Sequence, residues 1–346
     1  MKTPNKPSPS ILIWGAGAIG GCLGAAFVAE GYDVTFVDQA HDHVQAMQKE
    51  GLRIEGPIVT RRVAVRAFSP DELSGQYDLV FLAVKAHHTE EACLQIRPFL
   101  KDDGAVVSAQ NGLNELVISK LLGHERTIGC FVNFGADYLS PGLIHYGGRA
   151  AVVTGELDGR TTERIHLVHN LLLKFDDKAI LTNNIWGYLW SKQIYGAMLY
   201  ATALTDEAIW TCLENPEYRD VFIALAREIA EIANHEGVRL EAFDGFDPDA
   251  YAQCADITAA HASLDALVAH NKRSAKTHSG IWRDLAIRHR KTEVDAQLGV
   301  IVKIAKQHHI SAPLTSKLIS LIHECEGGMQ RDWNNLATLR SAIQEG

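Results

Sequence analysis

The six cysteines of this 346-residue chain are scattered and form no C-x-x-C pair. In a chain of this size, such cysteines indicate reduced thiols and a cytoplasmic protein rather than a disulfide framework. Glycine shows no period of three, which excludes a collagen-like chain, and the hydrophobic fraction of 47% excludes a disordered one. The formal net charge of −9 argues against a protein dedicated to nucleic-acid binding.

Histidine is plentiful, with 16 residues, yet it shows no metal-binding pattern such as H-E-x-x-H. Pairs occur at His87-His88 and His308-His309, and His166 shares a predicted helix face with His169. None of these has a standard ligand spacing, so the sequence predicts no metal site.

Residues 11–29, ILIWGAGAIGGCLGAAFVA, carry no charge and are open to interpretation as a signal peptide or membrane helix. Five glycines oppose that interpretation, because each glycine in a helix costs about 1 kcal/mol relative to alanine. They are Gly15, Gly17, Gly20, Gly21 and Gly24. We therefore expect no membrane segment, and we expect residues 1–10, rich in proline, serine and lysine, to form a disordered tail.

The pattern of secondary structure changes near residue 182. Short apolar segments alternate with helices over residues 11–182, which predicts an α/β domain with a doubly wound parallel sheet. Strands are predicted at 11–14, 33–37, 52–55, 58–66, 78–84, 105–108, 127–134, 142–146, 150–154 and 179–181. Residues 183–346 show helical periodicity and almost no strand pattern, which predicts an all-α domain. Its helices are predicted at 184–205, 216–236, 257–270, 291–308, 313–325 and 332–343.

A G-x-G-x-x-G motif, Gly15-Ala16-Gly17-Ala18-Ile19-Gly20, follows the first strand and opens the first helix. In this context its glycines allow a tight turn, close approach of a pyrophosphate and close helix packing, while the helix N-terminus supplies amide donors. Asp38 follows 18 residues after Gly20, at the end of the second strand. A carboxylate there binds both ribose hydroxyls of NAD and repels a 2′-phosphate, so the sequence favours NAD(H). The alternative is a glycine-rich turn without a ligand, with Asp38 in solvent.

Two further loops follow predicted strands, at the sheet edge where ligands of α/β proteins bind. Lys85, in the segment Val84–His88, is placed to meet a cofactor phosphate or ribose, or else to remain in solvent. Asn111, in Gln110-Asn111-Gly112, offers a donor and an acceptor to a nicotinamide or a substrate, or else forms a simple Asn-Gly turn.

Lys192 lies on the first predicted helix of the second half, directly after Trp190 and Ser191. In a closed cleft, desolvation lowers the pKa of a lysine, which can then act as a general acid. Helical spacing places Tyr188, Gly196 and Tyr200 on its face. The alternative is a lysine whose aliphatic stem covers apolar surface.

Glu293 belongs to Lys291-Thr292-Glu293-Val294-Asp295, which opens a later helix. By itself this pattern favours capping of the helix and compensation of its dipole.

Basic residues dominate positions 272–291, where Asp284 is the one acid: Lys272, Arg273, Lys276, Arg283, Arg288, Arg290 and Lys291. A solvated helix face is the default interpretation. A funnel for an anionic substrate and cofactor is the next, and nucleic-acid binding is the least favoured because no binding motif accompanies the run.

The order of these motifs resembles the ketopantoate reductase (2-dehydropantoate 2-reductase) family over residues 11–325. The matching residues are Gly15/Gly17/Gly20, Val84-Lys85-Ala86, Asn111-Gly112, Trp190-Ser191-Lys192, Thr292-Glu293-Val294-Asp295, Gly299 and Ala312-Pro313. The resemblance implies a Rossmann domain and a helical domain with the active site in the cleft between them. It also implies NAD(P)-dependent reduction of a small 2-oxo acid to the hydroxy acid.

The resemblance also implies roles for single residues. Lys192 would be the catalytic acid and Glu293 a carboxylate of the substrate site. Asn111 would lie beside the nicotinamide and substrate, and Lys85 beside the cofactor. Family members usually use NADPH, so NADP(H) is the alternative to the NAD(H) that Asp38 favours.

The sequence departs from the family where substrate is bound. Gly196 and Tyr200 stand where the family usually has asparagines, and Ser279, in His278–Trp282, stands one residue away from the usual spacing of a family serine. The expected function is reduction of a ketopantoate-like 2-oxo acid, and these departures favour the first alternative, a dehydrogenase of the same architecture with a different oxo or hydroxy substrate. A dinucleotide-binding sensor without turnover is the second alternative, and a homodimer is a further expectation.

Overall fold

Short apolar strands pair side by side to form the core of the first half of the chain. The computed structural model describes residues 8–273 and 277–343, and the chain divides into two compact units, Met1–Ile185 and Trp186–Gly346. The described strands are β1 (Ile11–Trp14), β2 (Val34–Val37), β3 (Leu52–Glu55), β4 (Arg61–Val63), β5 (Arg66–Phe68), β6 (Tyr77–Leu82), β7 (Leu100–Ser108), β8 (Thr127–Val132), β9 (Gly135–Ser140), β10 (Leu143–Gly148), β11 (Val152–Glu156) and β12 (Ile180–Leu181).

Helices connect these strands and build the second unit. Those of the first unit are α1 (Ala18–Ala29), α2 (His41–Glu50), α3 (Thr89–Ile96), α4 (Glu115–Leu122) and α5 (Glu163–Phe175). Those that follow are α6 (Ile185–Thr202), α7 (Ile209–Glu214), α8 (Arg219–His235), α9 (Ile257–Arg273), α10 (Gly280–Ala286), α11 (Val294–Gln307), α12 (Pro313–Glu326) and α13 (Trp333–Ser341).

The main sheet has eight strands in the order β12-β11-β8-β7-β6-β1-β2-β5. β1 pairs in parallel with β2 on one side and with β6 on the other, so the strand order reverses between β1 and β6. Ligands of open α/β sheets bind at such a switch point, outside the carboxyl ends of the strands. This topology places the glycine-rich loop after β1 beside the Lys85 loop after β6.

Side chains of β1 alternate between two separate hydrophobic cores. Ile11 and Ile13 belong to the core that also contains Phe27, whereas Leu12 and Trp14 belong to the core on the opposite face. Burial on both faces explains why this strand is apolar throughout.

The doubly wound parallel sheet and the helical second half are confirmed, with three differences in detail. β11 pairs antiparallel to β8, so the sheet is mixed. The predicted strand 58–66 is two strands, β4 and β5, and they belong to different sheets. A second sheet, β4-β3-β10-β9, was not predicted because it joins β3 to β10, two segments far apart in the chain.

The helical unit contains the six predicted helices and two that were not predicted, α7 and α10. These two are too short to show a clear helical period of hydrophobic residues. In the described part of this unit, β-type backbone pairing is limited to an isolated antiparallel bridge between Phe243 and Phe246. Across residues 8–273 and 277–343, no helix combines the length and apolar character that a membrane crossing requires.

The tail expected at residues 1–10 falls mostly outside the described residues. Ser10 is described, and both its backbone N–H and its hydroxyl donate to the carboxylate of Asp78 at 2.7 Å. Ordered chain therefore extends at least one residue ahead of β1.

Candidate active site

The glycine-rich loop leaves β1 in a conformation that requires glycine. Gly15 has φ +96°, and a Cβ on it would lie 2.9 Å from the carbonyl carbon of Ala83. A Cβ on Gly20 would lie 2.1 Å from the carbonyl oxygen of Gly15, so α1 can pack against the loop only because that position is glycine.

Gly17 differs from its two neighbours in the motif, because no described atom lies within 4 Å of the position that its Cβ would take. It is the N-cap of α1, and in the described structure no side chain caps that helix and no acid lies in its first turn. Gly17, Ala18 and Ile19 are partly exposed. A helix N-terminus with open amides beside an open glycine fits the pyrophosphate of a dinucleotide.

Asp38 directly follows β2, and its carboxylate is held by two backbone amides. The Ala16 N–H donates to Oδ2 at 2.9 Å, and the Ala40 N–H donates to Oδ1 at 2.9 Å. A carboxylate has about four lone-pair sites, so each oxygen keeps acceptor capacity for a ribose hydroxyl. This geometry fits the adenosine ribose of NAD.

A surface cavity of about 490 Å³ opens at Gln39, the residue after Asp38. Its lining comprises Gln39, His41, Ser69, Pro70, Asp71, Gln95 and Phe99. The lining contains one acid, Asp71, and one imidazole, His41, and the described lining residues include neither lysine nor arginine.

His43 was not singled out by the sequence, yet it contacts the glycine-rich loop. The side chain is buried on α2, with Nε2 2.9 Å from the carbonyl oxygen of Ala16 and Nδ1 2.9 Å from the backbone nitrogen of Gly142. Both partners are backbone atoms, so no pair of side chains in the sequence marks this contact.

A chain of hydrogen bonds joins the loops after β6 and β7. The Gln110 amide donates to the carbonyl of Val84 and to the Thr89 hydroxyl, both at 2.9 Å. Thr89 donates to Asn114, which donates in turn to the carbonyl of Asn111 at 2.7 Å. The sequence did not identify Thr89 or Asn114 as part of the site.

This chain of bonds fixes the backbone beside two predicted site residues. Lys85 directly follows Val84, and Asn111 itself accepts the last bond. Both side chains are exposed. Gly112 has φ +113°, which turns the chain sharply after Asn111.

Lys192 lies near the middle of α6 and is partly exposed. The neighbouring Ser191 is fully buried, and its hydroxyl accepts a hydrogen bond from the Glu241 N–H at 3.1 Å. This bond ties the rotation of the helix to a second segment of the same unit, which fixes the face that Lys192 occupies.

Gly196 and Tyr200 lie one and two turns after Lys192 and have contrasting surroundings. No described atom lies within 4 Å of the Cβ position of Gly196, so the helix has open space there. Tyr200 is 1% exposed, and its hydroxyl has no hydrogen-bond partner in the described residues. Burial raises the pKa of Tyr200 well above its ordinary value, and the nearby carboxylate of Glu293 adds to the rise.

Glu293 is buried at the N-cap position of α11, but its side chain makes no capping hydrogen bond within the described chain. The cap comes from Thr292, whose hydroxyl accepts from the Val294 N–H at 3.2 Å. Thr292 is held in turn by Glu326, which accepts from its N–H and its hydroxyl at 2.7 Å. Because a neighbour supplies the cap, capping does not account for Glu293.

Ser279 is buried and caps α10, where its hydroxyl accepts a hydrogen bond from the Trp282 N–H at 3.1 Å. The hydroxyl proton is not used in this bond, so a second role toward a substrate remains a prediction.

Three of the seven basic residues at 272–291 form ion pairs within their own unit. Asp284 binds Arg288 at 3.0 Å and Arg290 at 2.9 Å, and Lys272 pairs with Glu214. Lys276 lies outside the described residues. In the part of the chain that is described, no group of three or more His, Cys, Asp or Glu side chains is arranged to hold a metal ion.

Comparison with known proteins identifies the family. Residues 11–159 match the model of ketopantoate reductase PanE/ApbA, and residues 184–326 match that of the ketopantoate reductase PanE/ApbA C terminal. The 2-dehydropantoate 2-reductase of Archaeoglobus fulgidus is 28% identical over 321 residues, which cover 92% of this chain and 98% of that protein.

Two solved structures share the fold. The 2-dehydropantoate 2-reductase of Geobacter metallireducens has a TM-score of 0.79 at 22% identity, covering 91% of this chain and 99% of that one. A ternary structure of D-mandelate dehydrogenase with NADH and anilino(oxo)acetate has a TM-score of 0.79 at 21% identity, covering 92% and 98%. Together with the two model matches, these findings show that the chain belongs to the ketopantoate reductase family, whose members are NAD(P)-dependent oxidoreductases that interconvert C=O and CH–OH groups.

Proposed function

We propose that this protein reduces a small 2-oxo acid to the corresponding 2-hydroxy acid, with Lys192 as the proton donor. The observation that carries the proposal is the family match over both units, together with the presence of Lys192 and Glu293 at the family's motif positions. A nicotinamide dinucleotide, when bound, supplies the hydride that is delivered to the substrate carbonyl carbon.

The residues of the chain supply binding and the proton. The open amides at Gly17–Ile19 bind the pyrophosphate, and Lys85 and Asn111 contact the cofactor from the two adjoining loops. Lys192 donates its Nζ proton to the developing alkoxide, which neutralises charge as it forms. Glu293 orients the lysine or a substrate hydroxyl.

We propose NAD(H) as the preferred cofactor. Asp38 keeps acceptor capacity for the ribose hydroxyls and repels a 2′-phosphate. The cavity at Gln39 supports the same choice, because its lining contains the acid Asp71 and neither a lysine nor an arginine that could pair with a 2′-phosphate. NADP(H) is the alternative.

We propose further that the substrate is bulkier or less hydroxylated than ketopantoate. Open space at Gly196 and the buried ring of Tyr200 replace two amides that could have bound a substrate hydroxyl. Ser279 and Asn111 are the other proposed substrate contacts. A site that packs rather than hydrogen-bonds discriminates by about 1–3 kcal/mol per missing group, so related oxo acids should also react.

The test is steady-state oxidation of NADH and NADPH, side by side, with ketopantoate, its aliphatic analogues and an aryl 2-oxo acid such as benzoylformate. The aryl compound is included because a D-mandelate dehydrogenase shares the fold. Turnover with one or more oxo acids supports the proposal. Tight NADH binding without turnover of any of them would instead favour the sensor alternative.

A further inference from the structure

The imidazole of His43 links the glycine-rich loop to the second sheet. It is 1% exposed, and both ring nitrogens have a backbone partner at 2.9 Å: the Ala16 carbonyl for Nε2 and the Gly142 N–H for Nδ1. Gly142 lies in the turn between β9 and β10. The ring of Tyr138 meets the imidazole edge-on at 5.1 Å between centroids, which restrains its orientation.

These partners define the tautomer. A backbone N–H can only donate, so Nδ1 must accept from Gly142 and carries no proton. The proton of the neutral ring therefore lies on Nε2, from which it is donated to the carbonyl of Ala16.

Ala16 is consequently held by side chains at both of its backbone polar groups. Its N–H donates to Asp38 and its carbonyl accepts from His43. The residue lies between Gly15 and Gly17, where the sequence contains no side chain large enough to restrict the turn. A glycine-flanked turn loses much conformational entropy when it is ordered, and a ligand that must order it binds more weakly.

We infer that His43 is a positioning residue for the dinucleotide, which pre-orders the Gly15–Gly20 loop through Ala16 and takes no part in proton transfer. This inference rests on the proposed cofactor site. Its consequence is specific, because losing the Ala16 contact should weaken dinucleotide binding while leaving the chemistry of the bound complex unchanged.

Three substitutions at His43 separate its two contacts. His43→Ala removes both. His43→Gln keeps a donor at the distance of Nε2 and so preserves the bond to Ala16. His43→Asn keeps an acceptor near Nδ1 for Gly142 but does not reach Ala16. The measurements are the NADH Kd by fluorescence titration, KM and kcat for NADH and the oxo acid, and the Tm.

Two further variants serve as controls. His169, on α5 of the same unit, also contacts a backbone carbonyl, that of Ala179, with its Nε2 at 2.9 Å. His169→Ala therefore removes a comparable bond away from the loop. Gly17→Ala tests the cofactor site itself, because its methyl group meets no described atom of the protein but occupies the space proposed for the pyrophosphate.

We expect His43→Ala and His43→Asn to raise the NADH Kd about tenfold, the upper range for one lost hydrogen bond. We expect His43→Gln to stay within about threefold of the parent protein, and kcat at saturating NADH to change little in the folded variants. Gly17→Ala should abolish most binding, and His169→Ala should leave the Kd unaltered.

Three other outcomes would contradict either the positioning role of His43 or the proposed cofactor site. If Gly17→Ala weakens binding but the alanine and asparagine variants of His43 do not, the positioning role is wrong and the cofactor site stands. If Gly17→Ala binds NADH normally, the proposed cofactor site is wrong. If His169→Ala weakens binding as much as His43→Ala, the effect is general destabilisation and the inference fails.

Discussion

The carboxylate of Asp38 accepts a hydrogen bond from the Ala16 N–H at 2.9 Å, which joins the end of β2 to the turn that follows β1. The two segments are neighbours because β1 and β2 pair in parallel and end at the same edge of the sheet. One side chain therefore holds the glycine-rich loop and, in the cofactor site that we propose, also faces the ribose.

Replacement of Asp38 by serine or alanine should relax the preference for NADH. Loss of the acceptor loosens Ala16 for both cofactors, whereas loss of the negative charge removes repulsion of a 2′-phosphate, so the ratio of kcat/KM for NADH to kcat/KM for NADPH should fall. The measurement is kcat/KM with each cofactor. Asp33→Ala, at the other end of β2, is the matched control and should leave the ratio unchanged. A parent enzyme that is clearly better with NADPH would contradict the cofactor proposal.

Replacement of Lys192 by alanine should lower kcat by about 10²-fold or more, the usual scale for a lost general acid. The NADH Kd should remain nearly unaltered, because the proposed cofactor contacts lie on the other unit. Lys306→Ala removes an exposed lysine from the same helical unit and serves as the control. Near-normal turnover by the Lys192 variant would show that Lys192 is not the general acid.

The double change Gly196→Asn with Tyr200→Asn should raise activity on ketopantoate relative to the native substrate, because it restores two amides. Open space at Gly196 can accept the first side chain. The substitution Tyr200→Asn leaves a cavity, which we expect to lower the free energy of unfolding by about 3 kcal/mol or more. Gly196→Asn alone is therefore measured first, with Tm beside kcat/KM. A parent enzyme with kcat/KM above ~10⁵ M⁻¹s⁻¹ for ketopantoate would refute the proposed substrate difference.

Removal of the Tyr200 hydroxyl by Tyr200→Phe should leave stability unchanged or increase it. Within the described chain this buried hydroxyl has no partner, and burying a polar group without one costs about 1–3 kcal/mol. Thermal unfolding in the absence of ligands is the measurement. A clear fall in Tm would reveal a hydrogen bond to the hydroxyl in solution. A raised oxo-acid KM at unchanged Tm would indicate that the hydroxyl contacts the substrate.

In the native protein, a thiol reagent at pH 8 should modify Cys254 first. All six cysteines lie among the described residues, and Cys254 alone is exposed. Burial raises the pKa of Cys22 and Cys93 to about 12, and that of Cys212 and Cys325 to about 11, so these groups stay protonated and unreactive. We expect about one equivalent of reagent per chain to react rapidly with the native protein, and six equivalents to react with the denatured protein. Cys254→Ser should abolish the rapid phase.

The local features of the first unit could be predicted because their causes are local. A run of four apolar residues, a tight glycine turn and a helix beginning at Ala18 depend on neighbouring residues in the chain. The position of Asp38 follows from the same alternation of strand and helix. The helices of the second unit were likewise predicted where they span several turns, since a period becomes visible only over such lengths.

The rest depended on residues that are distant in sequence. Pairing of β3 with β10 creates the second sheet, and only this sheet brings Gly142 to the imidazole of His43. The Thr292 bonds to Glu326 and the burial of Tyr200 likewise require the packed unit. The order of residues specifies the family, the succession of strands and helices, and the residue types available for chemistry. Folding specifies which of those residues are held by backbone amides and carbonyls, because every residue carries such groups and the sequence therefore cannot distinguish the ones that are used.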